Sequence, residues 1–192
     1  GRHRPRAVLG MGGYVAGPGG IAAWLRKIPL IIHEQNAIAG LTNRLLSRRA
    51  TRVLTGLDAT FPGDRATTFT GNPVRGAITA LAETDPAPAA PHPRLLVIGG
   101  SLGARTLNRV VPEALARLPV AERPTVLHQA GERSLETARS GYREAAIEAD
   151  VRAFIDDMAG VYYSADLANC RAGALIVSEA AAVVVFYTYS RG

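Results

Sequence analysis

The stretch Leu95-Leu96-Val97-Ile98-Gly99-Gly100-Ser101-Leu102-Gly103-Ala104 is a run of aliphatic residues that breaks at a Gly-Gly-Ser-x-Gly turn and passes at once into a helical pattern over Arg105–Leu118. Consecutive aliphatics without alternation suit a strand buried on both faces, as in a parallel sheet. Glycines let the backbone approach a ligand. The helix start behind them offers N–H groups without intrahelical partners, at the positive end of the helix dipole. Together they form a cradle for phosphate or diphosphate, with the Ser101 hydroxyl as a further donor. Glycines that merely let helix and strand pack closely are the plainer explanation of the same residues. Gly10-Met11-Gly12-Gly13-Tyr14-Val15-Ala16-Gly17-Pro18 repeats the design, after Ala7-Val8-Leu9 and before a helix over Gly19–Lys27.

The alternation continues throughout. Strands are expected at Ala7–Gly10, Pro29–His33, Thr51–Thr55, Thr67–Thr70, Arg94–Ile98, Thr125–Gln129, Val151–Ile155 and Ala165–Cys170. Helices are expected at Gly19–Lys27, Leu41–Arg49, Arg105–Leu118, Glu132–Glu148, Asp156–Ser164 and Gly173–Ala182. Such alternation predicts an α/β fold with parallel sheets covered on both faces. Four prolines within the eleven residues Glu83–Pro93 exclude helix or central strand, so 81–93 is a linker between a unit at 1–80 and a second at 94–182. Residues 183–192 join a strand-like run to a helix-like one with no turn between, an aberrant tail.

Composition narrows the classes. The 192 residues are 47% hydrophobic, enough for a real core, and the single cysteine, Cys170, excludes a disulfide scaffold. No apolar stretch is long enough to span a membrane. Charge is uneven: residues 1–80 hold eleven Arg/Lys against three Asp/Glu, the remainder eleven against thirteen. A basic half points to an anionic partner, although an arginine-rich composition explains it equally well.

Single positions carry more. Glu34 ends a strand about twenty residues after the first glycine turn, where dinucleotide enzymes place their ribose-binding acid, so an NAD(P)-dependent oxidoreductase is an alternative. The first turn lacks that class's third glycine, Val15 standing in its place. His33-Glu34-Gln35-Asn36 puts four hydrogen-bonding side chains at one strand end, which favours a substrate role. Arg75, after the Gly71-Asn72-Pro73 turn, carries a fork suited to a diphosphate oxygen. Asp156-Asp157 reads as a helix cap in preference to a metal pair. Glu179, in the second turn of a helix, can accept both hydrogens of a ribose diol or simply face solvent. Cys170 reads as a small buried residue. The helix from Leu41 carries Leu45 and Leu46 beside Arg44, Arg48 and Arg49, a basic amphipathic surface suited to anionic lipid or to ordinary half-burial.

Six blocks in order, Gly10–Pro18, His33–Asn43, Gly71–Arg75, Gly99–Ala104, Phe154–Met158 and Cys170–Glu179, resemble the MurG family of peptidoglycan glycosyltransferases, over about Pro5 to Ala182. The resemblance implies a GT-B fold: two Rossmann-like domains, both incomplete here. It implies inverting, metal-independent transfer of N-acetylglucosamine from UDP-N-acetylglucosamine to lipid I, giving lipid II, without a cofactor. It also implies a peripheral place on the anionic cytoplasmic face of the bacterial inner membrane, and no nucleic-acid partner. Carried over by motif, Ile155 meets the uracil through its backbone and Glu179 the ribose hydroxyls. Ser101 and Arg75 contact the phosphates, Asn36 faces the sugar or acceptor, and Ala174, Leu175, Ile176, Val177 and Ser178 lead the donor-binding helix. Gly12, Gly13 and Gly17 border the acceptor diphosphate. His33 and Glu34 are the available candidates for a general base. Ala172 and Ile176 depart from the family's usual Ser and Thr. The family's first glycine-rich loop with its His would precede Gly1, and its sugar-contacting Gln would follow the donor helix. Without them the chain is expected to be inactive.

Overall fold

The computed structural model describes residues 4–58, 60–61, 66–85, 87–99, 105–170, 173–183 and 186–189, the last four by backbone alone. Two compact units divide the chain at Pro73 and Val74.

In the first unit, β1 (Val8–Gly10), β2 (Leu30–Glu34), β3 (Arg52–Thr55) and β4 (Thr68–Phe69) pair in parallel, in chain order. Crossover helices α1 (Ala16–Leu25) and α2 (Leu41–Leu46) pack together, where Gly20 leaves room for Leu46: a Cβ there would stand 2.7 Å from its methyl groups. Leu30, Ile32, Leu46 and Val53 form the core. Helix α1 begins three residues before the expected Gly19, because Pro18 falls in the first turn, where its missing N–H has no intrahelical duty. It closes through Lys27 at φ +56°, with the Ile28 N–H bonded to the Ala23 carbonyl at 2.9 Å. Both described helices lie on one face, not on two as the apolar strands predict. Successive right-handed crossovers that all step the same way along a sheet stay on one side, and Leu9 on the other face is 58% exposed.

The second sheet has the order β7-β6-β5-β8-β9, all parallel: β5 (Arg94–Ile98), β6 (Thr125–Gln129), β7 (Ala149–Arg152), β8 (Leu167–Cys170) and β9 (Phe186–Tyr189). The chain steps outward from β5 to β6 and β7, then returns to β8 on the opposite side, so its helices fall on both faces. Val97, Val126 and Val151 pack with α4 (Arg105–Leu115) and α5 (Leu135–Glu144). Leu96, Ile98 and Ala168 pack with α3 (Gly76–Thr79), α6 (Met158–Ser164) and α7 (Ala174–Ala181). This alternation along β5 is why its sequence is apolar without a break. Arg94 clamps the start of β5 to the turn before β8, its backbone N–H and guanidinium donating to Asp166 at 2.8–3.0 Å.

Several boundaries differ from expectation. Val74–Ala80 goes with the second unit because Ile78, buried to 1%, is part of its core. Strand β7 starts at Ala149, its register set by pairing with β6, while Phe154 and Ile155 lie beyond it. Glu132–Glu148 is not one helix: α5 stops at Glu144, and Ala146 turns to φ +52° as Ile147 N–H bonds the Tyr142 carbonyl at 3.0 Å. Within the supposed tail, Phe186–Tyr189 adds a strand to β8.

Candidate functional site

In the first unit the carboxyl edge of the sheet opens on a cavity of about 250 Å³ lined by Met11–Tyr14, Glu34–Asn36 and Gly40–Asn43. Its rim is the first glycine turn, where Gly12 and Gly13 take φ +86° and +75°, conformations that side-chain-bearing residues avoid. Gly17 donates to the Tyr14 carbonyl at 3.3 Å, closing the turn onto α1.

The cavity floor is organised by Glu34, which is only 2% exposed. Its Oε1 accepts from the Asn36 N–H (3.1 Å) and Asn36 Nδ2 (2.8 Å), and its Oε2 from the Gly40 N–H (3.0 Å) and Asn43 Nδ2 (2.9 Å). Burial alone would raise this acid's pKa, but the four donors prevail and hold it below the ordinary carboxylate value. Four donors use the whole acceptor capacity of a carboxylate. Glu34 therefore has no lone pair for a ribose diol and is a poor proton acceptor. The dinucleotide alternative loses its acid, and the general-base candidate its basicity.

His33 is similarly engaged. Its Nε2 donates to the Gly71 carbonyl at 3.0 Å and its Nδ1 accepts from Gln35 Nε2 at 3.1 Å, partners that select the neutral Nε2–H tautomer. Asn72 Nδ2 donates to the Gln35 carbonyl at 3.1 Å, binding the Gly-Asn-Pro turn to the same strand end. Asn36 is exposed at the cavity, its amide turned back to Glu34.

Asn43 is a residue that spacing alone did not single out. It is 1% exposed, and its Nδ2 donates to both the His33 carbonyl and Glu34, so its oxygen is fixed as the other end of the amide. That Oδ1 is buried with no partner. The available signal was an Asn in the first turn of a short helix, three residues after Gly40 and nine after an acid that needs donors.

In the second unit, the candidate positions expected from the sequence gather at the carboxyl edge near the β5/β8 neighbourhood, where strand order reverses. Gly99 is buried, its N–H bonded to the Gln129 carbonyl at 3.0 Å, while Ser101 and the rest of the turn to Ala104 lie outside the described residues. Helix α7 starts from Gly173, with Leu175 and Val177 exposed, and Ile176 packed against the core. Ser178 Oγ donates to the Ala174 carbonyl at 2.8 Å. The Ile155 side chain is buried in the core beneath. Asp157 caps α6, accepting from the Gly160 N–H at 2.9 Å. Cys170 is buried, and burial raises its thiol pKa.

Arg75, presented at the start of α3, extends its fork to Glu179 on α7: Nε to Oε1 at 2.9 Å and Nη2 to Oε2 at 3.0 Å. Two residues assigned separately to a phosphate and a ribose are here bonded to each other.

Two models of one family match the chain in order: the glycosyltransferase family 28 N-terminal domain over residues 1–55, and its C-terminal domain over 94–186. The chain belongs to glycosyltransferase family 28. A curated relative, the UDP-N-acetylglucosamine–N-acetylmuramyl-(pentapeptide) pyrophosphoryl-undecaprenol N-acetylglucosamine transferase of Alkalilimnicola ehrlichii, is 62% identical over 96% of this chain and 52% of its own length. The enzyme of the same name from Marinobacter nauticus is 53% identical over 93% of this chain and 50% of its own. The crystal structure of Acinetobacter baumannii MurG superposes with a TM-score of 0.71 at 40% identity, covering 96% of this chain and 52% of that one. The fold is thus of the GT-B type, with two Rossmann-like parallel-sheet units. The chain spans about half the length of the curated relatives it matches.

Proposed function

We propose that this chain carries donor- and acceptor-binding parts of an inverting, metal-independent N-acetylglucosaminyltransferase that extends lipid I to lipid II. The observation that carries the proposal is the meeting of a guanidinium fork from the start of α3 and a carboxylate in the second turn of α7, beside the reversal of strand order. These are the two groups a nucleoside diphosphate needs, one for phosphate and one for a ribose diol. The relatives' names, which specify UDP-N-acetylglucosamine and a lipid-linked muramyl pentapeptide, supply the substrates.

In this mechanism the acceptor's muramoyl 4-hydroxyl attacks C1 of the bound N-acetylglucosamine from the face opposite the diphosphate. The C1–O bond to UDP breaks, and the hydroxyl proton passes to a base outside this set of residues, since His33 and Glu34 are already engaged. Charge develops on the departing diphosphate. The Arg75 fork, the Ser101 hydroxyl and N–H groups of the turn that follows Gly99 are the donors proposed to stabilise it. Glu179 holds the ribose, the Ile155 backbone meets the uracil, and Ala174–Ser178 flank the donor. Gly12, Gly13 and Gly17 face the acceptor diphosphate, and Asn36 faces the sugar or the acceptor.

A membrane partner fits the outer surface of the first unit. Ile21, Trp24 and Leu25 of α1 and Leu41 and Leu45 of α2 are exposed, among Arg44, Arg48 and Arg49. The Arg49 guanidinium lies 5.0 Å from the Trp24 ring centre, joining the turn after α2 to α1. No helix among the described residues is long and apolar enough to cross a membrane. Apolar side chains rimmed by arginines suit peripheral docking on an anionic lipid surface, here the cytoplasmic face of the inner membrane.

Thermal unfolding of the purified chain in the presence of UDP or NADH tests the proposal. UDP raises the melting temperature, NADH does not, and Glu179→Ala abolishes the UDP effect. Stabilisation by NADH alone rejects the proposal.

A further inference from the structure

The Arg75–Glu179 contact has a competitive character. The two residues lie 104 positions apart, and the fork meets both carboxylate oxygens at once. A vicinal diol would approach the same two oxygens with its own two O–H donors, so the guanidinium occupies the place the ribose requires. The two ends are unequally held. The Glu179 side chain is 12% exposed and Arg75 53%, so it is the arginine that is free to swing. Its backbone stays fixed, because Ile78 anchors α3 in the core. A phosphate group is the partner that can draw the fork away, offering two anionic oxygens in the same planar spacing.

We propose that Arg75 and Glu179 form an exchange pair that makes the second unit select nucleoside diphosphates against nucleosides. The diphosphate takes the fork and the vacated carboxylate takes the ribose, each ligand group replacing one half of the resident ion pair. A nucleoside alone must displace Arg75 and gives it nothing in return. One side chain thus favours UDP binding and opposes uridine binding. This rests on the UDP-sugar reading of the site, and deepens it by assigning the origin of its phosphate dependence.

The test compares dissociation constants of UDP and uridine, by NMR titration of the 192-residue chain and of its Arg75→Gln, Glu179→Gln and doubly substituted variants, each first checked for an unchanged circular dichroism spectrum. Arg75→Gln is expected to bind UDP about tenfold or more weakly, having lost a charge-assisted contact. It is expected to bind uridine about threefold more tightly, the scale of a partly exposed ion pair that no longer has to be broken. Glu179→Gln weakens uridine binding and removes the gain from Arg75→Gln. If Arg75→Gln leaves uridine binding unchanged or weakens it while weakening UDP binding, the exchange is refuted and the UDP-sugar reading stands. If the unsubstituted chain binds neither ligand, that reading fails and the exchange with it. Should the glutamine variant lose its spectrum, Arg75→Lys supplies the comparison: a point charge that cannot form the fork also binds uridine more tightly than the parent, and failure to do so overturns the proposal.

Discussion

Glu34→Gln isolates what the buried acid does. Glutamine keeps the shape but makes one end an amide donor, which must face either the two Asn36 donors or the pair from Gly40 and Asn43. Because Asn36 is exposed and water can replace its bonds, the amide nitrogen turns that way. The remaining two bonds survive as neutral ones. Hydrogen bonds to a charged group contribute about 1.5–3 kcal/mol against about 0.5–1.5 for neutral ones. Loss of charge assistance on two bonds and loss of two solvent-relieved bonds then sum to about 2–4 kcal/mol. Urea unfolding followed by tryptophan fluorescence is selective for this unit, since the chain's single Trp, Trp24, lies in α1. The folded pKa of Glu34 is depressed below 4.5, so the carboxylate's contribution is whole above that pH and drains as pH falls through the folded value. The gap between parent and variant should therefore narrow in acid. Equal stability at pH 7, or a gap that persists undiminished to about pH 3, would refute the four-donor account.

Three further outcomes follow from the structure. Ala146 closes α5 at φ +52°, so Ala146→Gly should stabilise the second unit by about 1 kcal/mol, read by hydrogen exchange along α5. His128, fully buried beside the Tyr142 hydroxyl at 2.9 Å, has its pKa pushed down to about 4 by burial. Its imidazole NMR signals should stay those of the neutral ring from pH 7 to near 4, and stability of the second unit should fall below about pH 6.5, where the unfolded chain takes up the proton first. Leu41→Ser with Leu45→Ser should reduce co-sedimentation with anionic phospholipid vesicles severalfold while leaving the fold intact, because both side chains are more than half exposed.

The sequence was most legible where one local rule governed. Arg94–Ile98 and Thr125–Gln129 have the expected bounds because an apolar run buried on both faces announces itself and a polar or glycine break ends it. The left-handed turn at Gly12-Gly13 was likewise written in residue type. Boundaries slipped where partners decide: β7 follows its register with β6, and hydropathy alone drew the strand on to Ile155, a residue that buries from a loop. Candidate roles slipped for a related reason. Glu34 offers the same letter whether it binds a ligand or gathers Asn36, Gly40 and Asn43 beneath it, and the difference lies in donors two to nine residues away. No spacing rule joins Arg75 to Glu179, since α3 and α7 come together only through a core that tertiary packing creates.

The order of the second sheet also bears on how it is made. Leu95 in β5 pairs with Leu167 in β8, 72 residues downstream, while its partner in β6, Val126, arrives after 31. On a ribosome adding about 5–20 residues per second, β5 stands with one edge open for roughly 4–14 s before β8 can cover it. Loop closure over that distance comes after the β5-β6-β7 half has its local partners. The reversal of strand order, where we propose that the nucleotide binds, is therefore also a seam that closes only after the β5-β6-β7 half has formed, and until then it is an open edge to which a stray strand can add.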